Sequence, residues 1–166
     1  MNNLNEDKTK LENSQEFLDF KKQYPKAYFY AAFTLYEDIK NAIWQFNYYD
    51  LESTKTTAFE VDKEIKIVSQ SKIFQKEKVD PKEVNLDEVK IDIEKAFSII
   101  DELKEKKYKG QTENKFIITL QNINNKLVWN ITYLTTELNF LNVKIDANDG
   151  KIIEEKYESI LNLKAK

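Results

Sequence analysis

The chain has 166 residues, enough for one domain or two very small ones, and its 41% hydrophobic and 33% charged residues are typical of a folded protein. Acids and lysines are interspersed along the whole length, and the formal net charge is −3, which disfavours nucleic acid and anionic membrane surfaces as partners. The sequence has no cysteine, which excludes disulfides, thiolate nucleophiles and thiolate metal sites, and it has no histidine.

The first ten residues contain no apolar stretch of the kind found in signal peptides. No uninterrupted apolar run approaches the roughly 20 residues that a membrane-spanning helix needs. The sequence as given therefore predicts a cytoplasmic protein without a membrane span. If a leader precedes this sequence in the natural protein, export is expected instead.

The first half predicts one helix followed by a strand-rich region. Leu11, Phe17 and Leu18 lie at helical spacing among charged residues, and Pro25 ends any helix before it. From Ala27 the apolar period changes to two, which is typical of a strand. Four strands are predicted here, over residues 27–36, 42–48, 56–61 and 65–74.

The second half repeats this order. A charged segment with the second proline, residues 75–85, is the best candidate for a junction, and we place the boundary near residue 79. Apolar residues at helical spacing then predict a helix over 86–107. Alternating strands follow around residues 116–120, 127–133, 141–145 and 152–154.

Individual residues also recur between the halves. A shift of 85 positions aligns Trp44–Tyr48 with Trp129–Tyr133 and Phe33–Leu35 with Ile118–Leu120, and a slip of one residue then aligns Phe59–Asp62 with Val143–Asp146. We therefore predict an α+β fold of two helix-plus-meander repeats, residues 1–78 and 79–166. Together they would form one curved antiparallel sheet with helices on one face.

The second repeat resembles the PepSY domain through VWNITYL at 128–134 and NVKIDANDGKIIEE at 142–155. The first repeat resembles it only through the duplication, since Lys63-Glu64 replaces the Ala-Asn-Asp-Gly turn. This resemblance implies a tandem arrangement similar in outline to β-lactamase inhibitor proteins. PepSY domains are generally regarded as non-enzymatic and are associated with peptidase regulation and cell envelopes, which implies a peptidase or envelope protein as the partner.

Catalytic and metal-binding patterns are weak. Acidic pairs such as Glu154-Glu155 are adjacent, so on a strand they point to opposite faces and do not converge on one bond. A serine nucleophile has no histidine base, and no S-x-x-K or G-x-S-x-G string is present. Asp146–Gly150 lacks the spacing of a calcium loop and favours a hairpin turn. We predict no enzyme activity and no cofactor.

The two sheet faces differ in their predicted roles. Trp44 and Trp129 are predicted to lie in the core, on the side that faces the helices. The opposite face is predicted to carry an apolar, tyrosine-rich set: Tyr28, Tyr30, Ala32, Tyr36, Ile43, Gln45, Asn47, Tyr49, Ile117, Val128 and Leu134. Such a face is a surface for a protein partner, a homodimer contact, or a surface covered by another part of the chain.

The leading functional hypothesis is a non-catalytic protein-binding module that uses this face. Aromatic and apolar side chains are the usual anchors of an interface, so the predicted binding residues are Tyr28, Tyr30, Tyr49 and Ile117. Two alternatives stay open. One is a small carrier or sensor that closes its sheet around an apolar ligand, and the other is a self-associating structural protein.

Overall fold

The computed structural model describes residues 3–37, 42–72, 79–110 and 113–163. In chain order the elements are α1 (Leu4–Glu12), α2 (Gln15–Gln23), β1 (Tyr28–Tyr36), β2 (Trp44–Asp50), β3 (Lys55–Val61), β4 (Ile65–Lys72), a 3-10 turn (Leu86–Glu88), α3 (Ile93–Lys107), β5 (Glu113–Ile123), β6 (Lys126–Thr135), β7 (Asn139–Asp146), β8 (Ile152–Ser159) and α4 (Ile160–Leu163). The end of the predicted fourth strand, residues 73–74, and residues 75–78 of the predicted junction lie outside the described residues.

Capping side chains divide both predicted helices. Ser14 accepts a hydrogen bond from the Phe17 amide (3.2 Å) and donates one to the Leu11 carbonyl (2.6 Å), so it ends α1 and begins α2. In the second predicted helix, Asn85 accepts from the Asp87 amide (3.1 Å) and begins the 3-10 turn, whereas Asp92 accepts from the Lys95 amide (2.7 Å) and begins α3. Short polar residues favour such caps over helix interiors. The spacing of apolar residues alone does not reveal these helix ends.

The strands form a single eight-stranded sheet in the order β4-β3-β2-β1-β5-β6-β7-β8, and every neighbouring pair is antiparallel. This confirms the predicted α+β class. The first strands of the two halves, β1 and β5, pair with each other at the centre, where Phe33 lies opposite Thr119. Each half then runs outward to its own edge strand, β4 or β8.

One core joins both halves on the helix side of the sheet. It contains Trp44, Phe46 and Phe59 from the first half and Ile118 and Trp129 from the second, all 0–2% exposed. The two indole rings lie 6.3 Å apart, which confirms the prediction that both tryptophans are core residues.

A β-bulge in β1 overturns part of the predicted face assignment. The pairing of β1 with β2 shifts between Phe29 and Ala31, so Tyr30 is an extra residue and the alternation of side chains reverses beyond it. The prediction that Ala32 and Tyr36 lie on the outer face is wrong, because both lie in the core with 0% and 7% exposure.

The two tryptophans differ in one hydrogen bond, and we expect this difference to change the free energy of unfolding. The Trp129 indole N–H donates to the Ile91 carbonyl (2.8 Å), whereas the buried N–H of Trp44 has no partner among the described residues. Trp129→Phe should lower the free energy of unfolding by about 1–3 kcal/mol more than Trp44→Phe, since only the former removes a hydrogen bond and leaves the part-buried Ile91 carbonyl without its partner. Equal losses in urea unfolding would contradict this difference.

Asp7 on α1 gives a pH-dependent prediction. One of its carboxyl oxygens is buried without a partner in the described part of the chain, and burial raises the pKa of Asp7 above its usual 3.8. The native state thus binds this proton more tightly than the unfolded chain does. Stability therefore falls as the pH rises from about 3.8 through the raised native pKa, and it stays lower above that value.

Asp7→Asn should consequently raise the melting temperature at pH 7, with the gain shrinking at pH 3. Glu6→Gln is the matched control, because it removes the same charge from an exposed side chain in the same helical turn. A gain of the same size in both variants, measured by thermal melts across this pH range, would contradict the burial argument.

Candidate functional site: the outer face of the sheet

The outer face, defined as the side of the sheet opposite the core, is not covered by α1, α2 or α3. The buried residues of these helices all belong to the core: Leu11, Phe17, Phe20, Ile93, Ala96, Ile100 and Leu103. In an antiparallel sheet covered on one side, the free face is normally polar. Departures from that rule on this face therefore mark its candidate functional residues.

Three of the predicted anchors form a tyrosine cluster at one end of the face. Tyr28 lies opposite Tyr49 across β1 and β2, with ring centroids 5.8 Å apart, and Tyr30 on the bulge reaches Tyr49 at 6.4 Å. Tyr49 is 3% exposed, and the other two are half-buried. The sequence therefore placed these three tyrosines on the correct face, and the structure brings them together.

A segment from the junction crosses this cluster. Residues 79–84, here called the strap, accept hydrogen bonds from both tyrosines: Tyr28 donates to the Pro81 carbonyl and Tyr49 to the Asp80 carboxylate, each at 2.6 Å. The Val84 amide then donates to the Phe29 carbonyl (2.9 Å) as the chain passes to the core side. Coverage by another part of the chain, one of the alternatives left open by the sequence, thus applies to Tyr28 and Tyr49.

Electrostatics keep these hydroxyls protonated at neutral pH. The hydrogen bond to the Asp80 carboxylate, followed by burial, raises the pKa of Tyr49 to about 12. Burial is the main cause that raises the pKa of Tyr28 and of Tyr30. Tyr28 and Tyr49 therefore act as neutral hydrogen-bond donors to the strap.

The fourth predicted anchor, Ile117, belongs to a separate apolar patch at the sheet centre, made of Phe33, Leu35, Ile43 and Ile117. Leu35 lies directly opposite Ile117 across β1 and β5, and Phe33 lies opposite Gln45, two residues after Ile43. Leu35 is 54% exposed and Ile43 is 36% exposed. Sequence reasoning missed Phe33 and Leu35 because the bulge at Tyr30 moves them from the inner to the outer face.

Toward β8 the outer face becomes polar. Asn142 donates to Asn130 (2.7 Å) and to Thr132 (2.8 Å), and Lys144 forms an ion pair with Glu154 at 2.6 Å. Val128, predicted as part of the apolar face, is only 2% exposed. The most exposed apolar side chains of the outer face thus lie where the two halves meet. Leu134 and Phe140, opposite each other across β6 and β7, add half-buried apolar surface on the same face.

The described residues offer this face no reactive constellation. In the described ranges, no three acidic side chains lie close enough to hold a metal ion. Three cavities, of about 820, 500 and 730 Å³, are lined mainly by helix residues and by residues 83–94, and none includes a residue of the apolar patch. None of the described helices has the length and apolar character needed to cross a bilayer.

Comparison with known proteins finds a family match in the second half. Residues 90–156 match the PepSY family model, described as peptidase propeptide and YPEB domain, and the match covers α3, β5, β6, β7 and most of β8. The match confirms the predicted resemblance over these residues. No curated protein matches the sequence significantly.

A solved structure shares the fold over most of both chains. It is a "putative lipoprotein" from Clostridium difficile 630, with 14% sequence identity and a TM-score of 0.55, and the similarity covers 86% of this chain and 90% of that one. At this identity the likeness shows the fold alone.

The strap contact leads to a test by hydrogen exchange. Tyr49→Phe removes the bond to Asp80, and we expect the amides of residues 79–84 to exchange about fivefold faster, as the loss of about 1 kcal/mol of local stability implies. Tyr30→Phe is the control, because the Tyr30 hydroxyl forms no hydrogen bond with the strap in the described structure. Unchanged exchange in Tyr49→Phe would show that the strap is held by other contacts.

Proposed function

We propose that this chain is a non-catalytic protein-binding module that regulates a peptidase, and that it contacts its partner through the apolar patch on the outer face. The observation that carries the proposal is the exposure of Leu35 and Ile43 beside Phe33 and Ile117 on a sheet face that α1–α3 leave free. Exposing clustered apolar side chains to water is unfavourable in free energy, so binding of a partner that covers them is favoured. The PepSY match at residues 90–156 favours a peptidase as that partner.

The tyrosine cluster extends the proposed surface. Ile117 would pack against the centre of the partner, and half-buried Tyr30 would add a rigid contact with little rotamer entropy to lose. Tyr28 and Tyr49 would contribute by holding the strap, whose exposed Val79 (66%) stands beside the cluster. A partner would then meet the patch and the strap as one surface.

We further propose that the chain is a tandem of two related units, residues 1–78 and 79–166. A strand order in which two meanders meet through their first strands supports this division. The bulge refines the repeat: Phe33 faces outward but Ile118 faces the core, so a shift of 86 in β1, matching Thr34 with Leu120, keeps equivalent residues on equivalent faces. We extend the proposal to the cell envelope on the strength of the lipoprotein name of the structural neighbour.

The proposal is tested by paired double variants. Leu35→Glu with Ile117→Glu places two charges in the apolar patch, where we expect loss of peptidase capture and of any effect on that peptidase's activity, with a near-native melt. Leu18→Glu with Ser98→Glu is the matched control, since both positions are exposed on the helix side and the charge change is the same.

The measurement is quantitative mass spectrometry of proteins captured from the native source, followed by an activity assay of the captured peptidase. The wild type and the helix-side control should enrich the same peptidase. Equal enrichment by the patch variant, or the absence of any peptidase from the wild-type capture, would refute the proposed function.

A further inference from the structure

The strap contacts the tyrosine cluster in the manner of a bound peptide. It contains neither helix nor strand, and Asp80 is restricted to extended backbone conformations because it precedes Pro81. These two neighbouring residues supply the acceptors: the Asp80 carboxylate accepts from Tyr49 and the Pro81 carbonyl accepts from Tyr28, each at 2.6 Å. Aromatic surfaces that bind proline-containing segments are a recurring mode of peptide recognition.

Little of the strap is buried at this contact. Val79, Asp80, Lys82 and Glu83 are exposed, and Pro81 is half-buried. Attachment to the cluster therefore depends on two hydrogen bonds rather than on a packed apolar core. A hydrogen bond to a charged acceptor is the stronger kind, so the Asp80 carboxylate is the main anchor.

The end of the strap is held by contacts that do not involve the cluster. Val84 is 3% exposed, and its amide donates to the Phe29 carbonyl at 2.9 Å. The side-chain amide of Asn122 donates to the Glu83 carbonyl at 3.3 Å. Residues 79–81 can thus separate from the tyrosines while the following residues keep the chain in place.

The cluster is also held together by contacts of its own. The Tyr49 ring meets the Tyr28 ring at 5.8 Å and the Tyr30 ring at 6.4 Å, both in edge-to-face geometry. Tyr28 and Tyr49 are paired directly across β1 and β2. The two hydroxyl donors are therefore positioned by the sheet and are available to another segment with the same acceptors.

We infer that the tyrosine cluster is a recognition site for an extended protein segment in which an acidic residue directly precedes a proline, and that the strap occupies this site until a partner's segment replaces it. The strap is then an autoinhibitory contact. The inference rests on the proposed function only for the source of that segment, a peptidase. A peptidase that first meets the apolar patch and the strap as one surface presents its segment at a raised local concentration, which favours the exchange.

The probe is acetyl-Val-Asp-Pro-Lys-amide, the sequence of residues 79–82, titrated into the intact chain and followed by nitrogen-15 NMR. In the wild type the tethered strap competes, because apparent affinity falls with the fraction of molecules whose site is open. Asp80→Ala removes the main anchor of the strap, so it should bind the probe about tenfold more tightly than the wild type. Glu83→Ala is the matched control: it removes the same charge from an exposed strap residue that does not bond to a tyrosine, and it should bind like the wild type.

Two further comparisons test the recognised chemistry. Tyr49→Phe added to Asp80→Ala keeps the ring but removes the donor, and it should weaken probe binding about tenfold. A probe with asparagine in place of aspartate should bind Asp80→Ala several-fold more weakly, because its acceptor is uncharged. Absence of saturable binding to Asp80→Ala, equal affinity in Asp80→Ala and the wild type, or equal affinity for the two probes would overturn the inference.

The titration contains no peptidase, so its outcome is separate from that of the capture experiment. Probe binding as expected without capture of a peptidase would support the recognition site and refute the proposed function. Capture of a peptidase without probe binding would overturn the recognition site and leave the proposed function standing.

Discussion

The pairing of β1 with β5 is the interaction on which the rest of the structure depends. Without it the chain would form two four-stranded sheets, each with an additional open edge and half a core. With it, Trp44 and Trp129 approach to 6.3 Å although their strands are separated by two others. The small core-side residues of β1, Ala32 and Thr34, leave space for this contact, and both are essentially unexposed.

The same pairing determines where apolar surface remains. Strands at the centre of a sheet are apolar on the side that faces the core, but here the centre also carries Phe33, Leu35 and Ile117 on its outer side. The first half contributes two of them only because the bulge at Tyr30 turns them outward. A local backbone irregularity thus produces the surface on which the proposed function rests, and the strap fixes the tyrosines at its border.

Much of this architecture could be predicted from residue patterns. The alternation around Trp44 and Trp129 assigned both indoles to the core, and the VWNITYL and NVKIDANDGKIIEE strings indicated the PepSY family, whose model matches residues 90–156. Strong period-two patterns are readable because one face of the strand is apolar and the other is polar. In β6, for example, Trp129, Ile131 and Tyr133 alternate with Asn130 and Thr132.

The errors arose where that contrast is missing. β1 is apolar on both faces, so inserting Tyr30 does not break any visible pattern, and the inward turn of Ala32 and Tyr36 could not be inferred. The bonds of Tyr28 and Tyr49 to the strap join residues far apart in sequence, and no local signal encodes them. The hydrogen bond from the Trp129 indole to the Ile91 carbonyl likewise joins residues that are distant in the sequence.

The central claim is that β1–β5 pairing makes both halves one cooperative body, and the direct measurement is thermal unfolding of residues 1–78 and of residues 79–166 as separate chains. Each half alone exposes the central edge of its sheet and half of the shared core, so this account predicts no cooperative transition for either at neutral pH. A cooperative melt from each isolated half would contradict it, and would show that the two units fold independently before they join.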